Sequence, residues 1–326
     1  MTVDTKILTA LRSDKNGTSG AELCRRLGIS RAAVWSRIEV LRNLGFDIAA
    51  NPHTGYRLID SPDSLMASDL VSRLGKIRVI GRDIQVFPRA TSTNDIIQKF
   101  ALENHPEGLV VFAEAQTKGR GRLGRRWSSP TGKGLWLSIL LRPQLLPPET
   151  TQLTAAAATA IARAIQAETG LNPKIKWPND LLIGGRKIAG ILTELQAEMD
   201  QIRHVTLGIG INVQHSKSDF PPELQQTATS LKTVLGHPAD RPALAAAVLR
   251  ELDCDYGRIL DRRFDELSEE WEGRCDTLGQ LVTIEIGTRT LRGRAESLDP
   301  NGALLLRTEH GRLEPITGGD VRLVKS

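Results

Sequence analysis

Apolar positions in the first sixty residues recur at helical spacing, then change to short runs broken by turn residues. Ile7, Leu8 and Leu11 share one face of a segment from Thr5 to Arg12. Thr18-Ser19 offers a cap for a second helix carrying Leu23 and Leu27. Gly28-Ile29-Ser30 makes a tight turn. Ser30 then starts a third helix with Val34, Ile38 and Leu41 at i, i+4 and i+7, closed by Gly45. From Asp47 to Leu58, Asn51-Pro52 and Gly55 divide short apolar runs, which predicts a β-hairpin. Helix 19–27, a turn, helix 30–44 and hairpin 47–58 make a winged helix-turn-helix over residues 1–62. Ser61-Pro62-Asp63-Ser64 reads as a linker.

Residues 64–273 alternate strand-like and helical runs. Val79–Phe87, Leu109–Ala113, Leu135–Leu141, Lys187–Leu195 and His204–Val213 read as strands. Thr150–Thr169 is an Ala-rich helix, and 241–260 is a second amphipathic run. Several strands follow one another with no helix between them. That predicts a mixed or antiparallel sheet with helices rather than a doubly wound fold. Residues 274–326 are nearly all short strands: Leu281–Ile286, Thr290–Ser297, Ala303–Thr308 and Val321–Val324, parted by Gly287, Asp299-Pro300-Asn301-Gly302 and Gly318-Gly319. They predict a small β-barrel. The expected fold is therefore α+β and multidomain.

Composition narrows the chemistry. The chain has 326 residues and a formal charge of +5, a mild excess compatible with nucleic acid or anionic ligands. Three cysteines (Cys24, Cys254, Cys275) form no CxxC pair, and the six histidines form no HxxxH pair. This argues against disulfide and zinc frameworks. The start, MTVDTKILTALRSDK, lacks the pattern of a signal peptide, and no apolar run approaches a membrane span. A cytoplasmic protein without membrane contact is expected.

The most unusual stretch runs from Lys118 through Gly119-Arg120-Gly121-Arg122-Leu123-Gly124 to Trp127. No acidic residue lies between Glu114 and Glu149, while Lys118–Lys133 holds six basic ones. Glycines allow close backbone approach, and arginines grip carboxylate or phosphate through two bonds. The stretch suits a ligand with several anionic oxygens, or is a solvated basic loop. Gly119, Gly121 and Gly124 match the dinucleotide GxGxxG spacing. The helix and downstream acid that this motif needs are missing, and no GK[ST] Walker element exists. Lys176-Trp177-Pro178-Asn179-Asp180 is either a plain turn or a place where Asn179 and Asp180 orient a polyphosphate or Mg²⁺. Lys187 heads the KIAGIL run, and Gly208-Ile209-Gly210-Ile211-Asn212-Val213 is a strand whose glycines mark close backbone approach.

Ser92-Thr93-Asn94, Gln116 with GRGRLG, KWPNDL, KIAGIL and GIGINV, in this order, resemble the biotin–protein ligases. With the N-terminal unit and terminal barrel, the resemblance is to the bifunctional type that is also the biotin operon repressor. It implies a class II synthetase-like central domain and an SH3-like barrel. It implies ATP and biotin as substrates with Mg²⁺, and transfer to a biotin acceptor domain of acetyl-CoA carboxylase or a related carboxylase. Carried over, Ser92, Thr93, Asn94 and Gln116 would meet the ureido end of biotin. Arg120, Gly121 and Arg122 would cover the carboxylate and activated phosphate, and Lys187 the carboxylate end. Trp127 would flank the adenine, with Asn179 and Asn212 on the ATP side. Arg122, Lys187 and Asp180 are the catalytic candidates, Asp180 as base or as metal/ATP residue. Leu123 stands where some members carry arginine. The 214–226 loop differs from known members, and no residue is carried over from it.

In the N-terminal unit, Ser19, Arg31, Trp35, Ser36 and Arg37 are the candidates for DNA contact. Residues 1–60 hold nine Lys/Arg against six Asp/Glu, so operator binding is expected to need a homodimer, stabilised by the adenylate. The competing readings are a ligand-sensing repressor without ligase activity and a lipoate–protein ligase.

Overall fold

The computed structural model describes residues 1–14, 16–198 and 201–324, and the chain divides into two compact units. The first comprises Met1–Lys76 with Asp240–Ala246. Its helices α1 (Val3–Ser13), α2 (Gly20–Leu27) and α3 (Arg31–Asn43) start where hydroxyl caps sit: Thr2, Ser19 and Ser30 accept from the N–H of Thr5, Glu22 and Ala33. Ile7, Leu8, Leu11, Leu23, Val34, Ile38 and Leu41 form the core, with Phe46 and Ile48. Strands β1 (Asp47–Asn51) and β2 (Gly55–Asp60) make the antiparallel hairpin. Its turn packs so closely on the chain before α2 that a Cβ at Gly55 would lie 2.2 Å from the Thr18 carbonyl oxygen. Helix α4 (Ala67–Leu74) also belongs to this unit. Its fully buried Asp69 pairs with Arg12 of α1 and Arg73.

The second unit comprises Ile77–Ala239 and Ala247–Ser326. Strand β3 (Asp83–Phe87) is parallel to β4 (Leu109–Ala113), with α5 (Thr93–Leu102) between them. Next come β5 (Gly134–Leu141), α6 (Thr151–Thr169), β6 (Lys174–Lys176), β7 (Asp180–Ile183), β8 (Arg186–Glu198) and β9 (Gln201–Asn212). The sheet order is β3-β4-β5-β9-β8-β7-β6, and every pair except β3–β4 is antiparallel. It is the mixed sheet expected from the sequence. Helix α6 is built largely of buried alanines, which let it approach β6, β7 and β8. After α7 (Leu231–Leu235), α8 (Arg241–Leu260) and α9 (Phe264–Arg274), the chain forms β10 (Leu281–Ile286), β11 (Arg289–Leu298), β12 (Leu304–Thr308), β13 (Leu313–Ile316) and β14 (Asp320–Leu323). These five make one antiparallel sheet, ordered β13-β12-β11-β10-β14.

One strand is shorter than its hydropathy suggests. Val79–Arg82 is apolar in part, yet the Asp253 carboxylate takes the backbone N–H groups of Arg78, Val79 and Ile80 at 2.6–2.8 Å. Those donors are lost to a sheet ladder, so β3 begins at Asp83. Helices α4, α5, α7 and α9 and strands β6, β7 and β13 are further elements beyond those predicted.

Arg163 on α6 ties down α8 and α9 through Glu251, fully buried Asp255 and Glu270, at 2.5–2.6 Å. The chain after β9 is fixed differently. His215 is fully buried, stacked on Phe220 at 4.6 Å and edge-on to Trp136 at 5.9 Å. Burial pulls its pKa down to about 4.

Two outcomes follow. Arg163→Ala leaves buried Asp255 with Arg258 as its remaining cation and should cost about 3 kcal/mol in urea unfolding. Because His215 titrates near pH 6.5 unfolded and about 4 folded, the unfolded chain binds the extra proton between those values. The stability of wild type relative to His215→Phe should therefore fall as pH drops from 6.5 towards 4 and level off below. A difference constant across that window would refute the assignment.

Candidate functional site

Strands β8 and β9 pair with Gly190 directly opposite Gly210, and this bare patch is the floor of a cavity of about 560 Å³. The indole of Trp127 lies on the patch: a Cβ at Gly210 would come within 2.5 Å of the ring, and one at Gly190 within 2.9 Å. The loop that delivers Trp127 folds back on itself, with Gly121 N–H donating to the Arg125 carbonyl at 2.7 Å and Trp127 N–H to the Gly119 carbonyl at 2.9 Å. Arg122, Leu123 and Gly124 form its short helical turn, with Leu123 at φ +55°.

The deep end belongs to the start of α5. Ser92, Thr93 and Asn94 are all buried. The Gln116 side-chain oxygen accepts from Thr93 N–H at 2.8 Å, and its amide donates to Ser129 Oγ at 2.9 Å. Asn94 rests on β9, where a Cβ at Gly208 would lie 2.4 Å from its Oδ1. Ser92, Thr93, Asn94 and Gln116 thus meet at one end of the cavity, which they line with uncharged side chains; behind them Asn94 donates to the Glu194 carboxylate at 2.7 Å.

The other end is cationic. Seven lysine or arginine side chains and two carboxylates, Asp180 and Asp320, line the cavity. Lys187 Nζ is 2.6 Å from Asp180 Oδ1 and stands 5.2 Å above the Trp127 ring. Arg122 donates to Asn179 Oδ1 at 3.0 Å, and Asn179 Nδ2 donates to the Ile191 carbonyl at 2.8 Å. Burial pulls Arg122 below the usual arginine range, opposed by the fields of Asp180 and Asp320. Arg125 pairs with Asp320, the first residue of β14, so the C-terminal sheet closes one side. Asn212, at the end of β9, lines the same space.

Two sequence assignments change meaning here. Arg120 lines the cavity, but its guanidinium is paired with Asp95 and, at 3.1 Å, with Glu194. Its charge is balanced by carboxylates that lie far off in sequence. Asn179 spends both halves of its amide on the protein, so it acts on the cavity chiefly by fixing Arg122. The 214–226 loop, left aside in the sequence, supplies Phe220 and Leu224 to the lining, followed by Thr227 and Ala228. It is tied to β8 where Lys187 N–H donates to Thr227 and Thr229 N–H donates to Lys187. An aromatic four residues before a leucine was its only sequence signal.

Among the described residues, no group of three His, Cys, Asp or Glu side chains comes together as metal ligands, and no helix is long and apolar enough to cross a membrane. In the first unit, Arg31, Trp35 and Ser36 stand exposed on α3, Trp35 by 59%. Arg37 instead pairs with Asp4 through two bonds, and Ser19 is occupied in capping α2.

Residues 86–212 match the model of the biotin/lipoate A/B protein ligase family, 4–57 an HTH domain, and 277–324 the biotin protein ligase C-terminal domain. The bifunctional ligase/repressor BirA of Bacillus spizizenii is 40% identical over 94% of this chain and 93% of its own length. The Bacillus subtilis protein of the same name is 39% identical over the same shares. A biotin protein ligase from Aquifex aeolicus, solved in complex with biotin and ATP, superposes with a TM-score of 0.64 at 29% identity, covering 75% of this chain and all of that one. The chain belongs to the bifunctional ligase/repressor family of biotin protein ligases.

Proposed function

We propose that the cavity joins biotin to AMP and passes biotin to a lysine of a carboxylase acceptor domain, and that the same adenylate controls operator binding by a homodimer. One observation carries the reading: a single cavity has a neutral, hydrogen-bonding end and a cationic end, with an indole between them. Biotin has that polarity, with an uncharged ureido ring at one end and a carboxylate at the other.

In the first step a biotin carboxylate oxygen attacks the α-phosphorus of ATP. The O–P bond forms, the α–β bridge breaks, and pyrophosphate leaves. The nucleophile is already ionised near neutrality, so no base is needed. The barrier lies in bringing two anions together. Arg122 and Lys187 supply positive charge where they meet, and the partial burial of Arg122 strengthens it. Lys187 exchanges Asp180 for the substrate carboxylate. Trp127 flanks the adenine, Asn212 lies at the ATP side, and Asn179 serves that side by holding Arg122. The oxygen-bearing side chains fit a cation that keeps most of its waters. Mg²⁺, entering with ATP, would neutralise phosphate charge, with Asp180 the carboxylate able to reach it.

In the second step the acceptor amine attacks the acyl carbon, the acyl–phosphate bond breaks, and AMP leaves. The amine must first lose a proton, since its reference pKa is about 10.4. Once Lys187 has moved to the substrate, Asp180 is free to take that proton or to place the amine. The division of labour follows residues 1–62 for DNA, 64–273 for ligation and 274–326 for closure of the site. Arg31, Trp35 and Ser36 are the exposed contacts on α3. Arg37 can reach DNA only by leaving Asp4.

Labelled biotin, ATP and Mg²⁺ with an acceptor domain should give label stable to denaturation on one lysine, while labelled lipoate should not. Arg122→Gly should release adenylate roughly tenfold faster, read as labelling of free amines in solution. Asp180→Asn should slow transfer from preformed adenylate about tenfold or more. If only adenylation suffers, Asp180 is instead an ATP or metal residue. In mobility shifts, operator binding should strengthen with biotin and ATP together, and equal binding without them would remove the corepressor role.

A further inference from the structure

We propose that Glu194, on β8, sets the direction of the hydrogen bonds at the deep end of the cavity, so that this end accepts the N–H groups of the ureido ring. The inference rests on the biotin reading above. Glu194 Oε2 accepts from Asn94 Nδ2 at 2.7 Å and Gln98 Nε2 at 3.2 Å. A carboxylate only accepts, so Asn94 turns its NH₂ towards Glu194 and its carbonyl oxygen away. That oxygen lies 2.5 Å from Ser138 Oγ, and the two residues are 4% and 0% exposed. An amide oxygen also only accepts. Ser138 therefore gives its single proton to Asn94.

Ser138 Oγ is also 2.6 Å from Thr93 Oγ1. With its proton committed, Ser138 can only accept there, so the Thr93 hydroxyl donates to it. The competing acceptor, Gln116 Oε1, is further away at 3.2 Å. The chain runs one way, from Thr93 through Ser138 and Asn94 to the charge of Glu194. Its cavity end is a Thr93 oxygen with lone pairs and no proton to offer. A ligand must bring donors to that point, and the ureido N–H groups are donors. Turning the Asn94 amide around would set its oxygen against the Glu194 carboxylate, two acceptors with no proton between them. Close packing on Gly208 further restricts that amide.

Glu194 thus acts as a positioning residue, three side chains removed from Thr93. Glu194 also pairs with Arg120 at 3.1 Å, but Arg120 has a second partner in Asp95, which a Glu194 substitution leaves in place. The full-length chain and its Glu194→Gln and Glu194→Leu variants should be titrated calorimetrically with biotin and with biotin methylated on its ureido nitrogens. In the leucine variant the affinity for biotin should fall about tenfold while that for the methylated compound changes little. The preference for biotin over the methylated compound then narrows by the same factor. A glutamine at this position can still accept from Asn94 through its carbonyl, so the Glu194→Gln variant should keep an intermediate preference. If both ligands weaken equally in both variants, Glu194 is only a packing residue and the inference fails. If wild type binds no biotin, the underlying reading fails with it.

Discussion

The site depends on the contact between the Trp127 indole and the side-chain-free patch made by Gly190 and Gly210. Two glycines facing each other across an antiparallel pair leave the backbone bare over the width of an aromatic ring. The ring fills that space, and its position fixes the end of the glycine–arginine loop. Lys187 is held by the same geometry, since a Cβ at Gly190 would meet its Cε at 3.1 Å. One stretch of strand backbone thus sets the loop, the indole and the Lys187 ammonium together. No side chain can be added there without moving at least one of them.

On this floor the protein solves an electrostatic problem. Concentrated positive charge would repel itself in an empty cavity, and Asp180 and Asp320 limit that by pairing with Lys187 and Arg125. Asp180 also lowers the cost of burying Arg122. The neutral end works by the opposite rule: its polar groups are almost all satisfied within the protein, and what remains is directional.

Much of this was legible in the sequence, and the rest was hidden for physical reasons. The winged helix showed itself through hydroxyl caps and a 3.6-residue period. The large sheet showed through β4 and β5, buried along their length, and β9, buried from His204 to Asn212. Short strands β6 and β7 gave too little pattern to see. The true start of β3 depends on Asp253, more than 170 residues away. The ion pairs of Arg120 with Asp95 and Glu194, and of Arg37 with Asp4, also join residues 25 to 74 positions apart. Sequence reads these arginines as open to ligands, because only the fold brings the carboxylates to them. Phe220 stayed hidden because its loop has no regular period. Its place comes from stacking on His215 and from backbone bonds to β8.

The central claim is that the indole on the glycine floor organises a site where biotin and ATP react. Exchange of labelled pyrophosphate into ATP, dependent on biotin, reports that reaction without any acceptor. Wild type should exchange only when biotin is present, and Gly210→Ala, which pushes Trp127 off its seat, should lose most of that exchange while its N-terminal unit still folds. Exchange at the wild-type rate in Gly210→Ala, or none in wild type, would contradict the account.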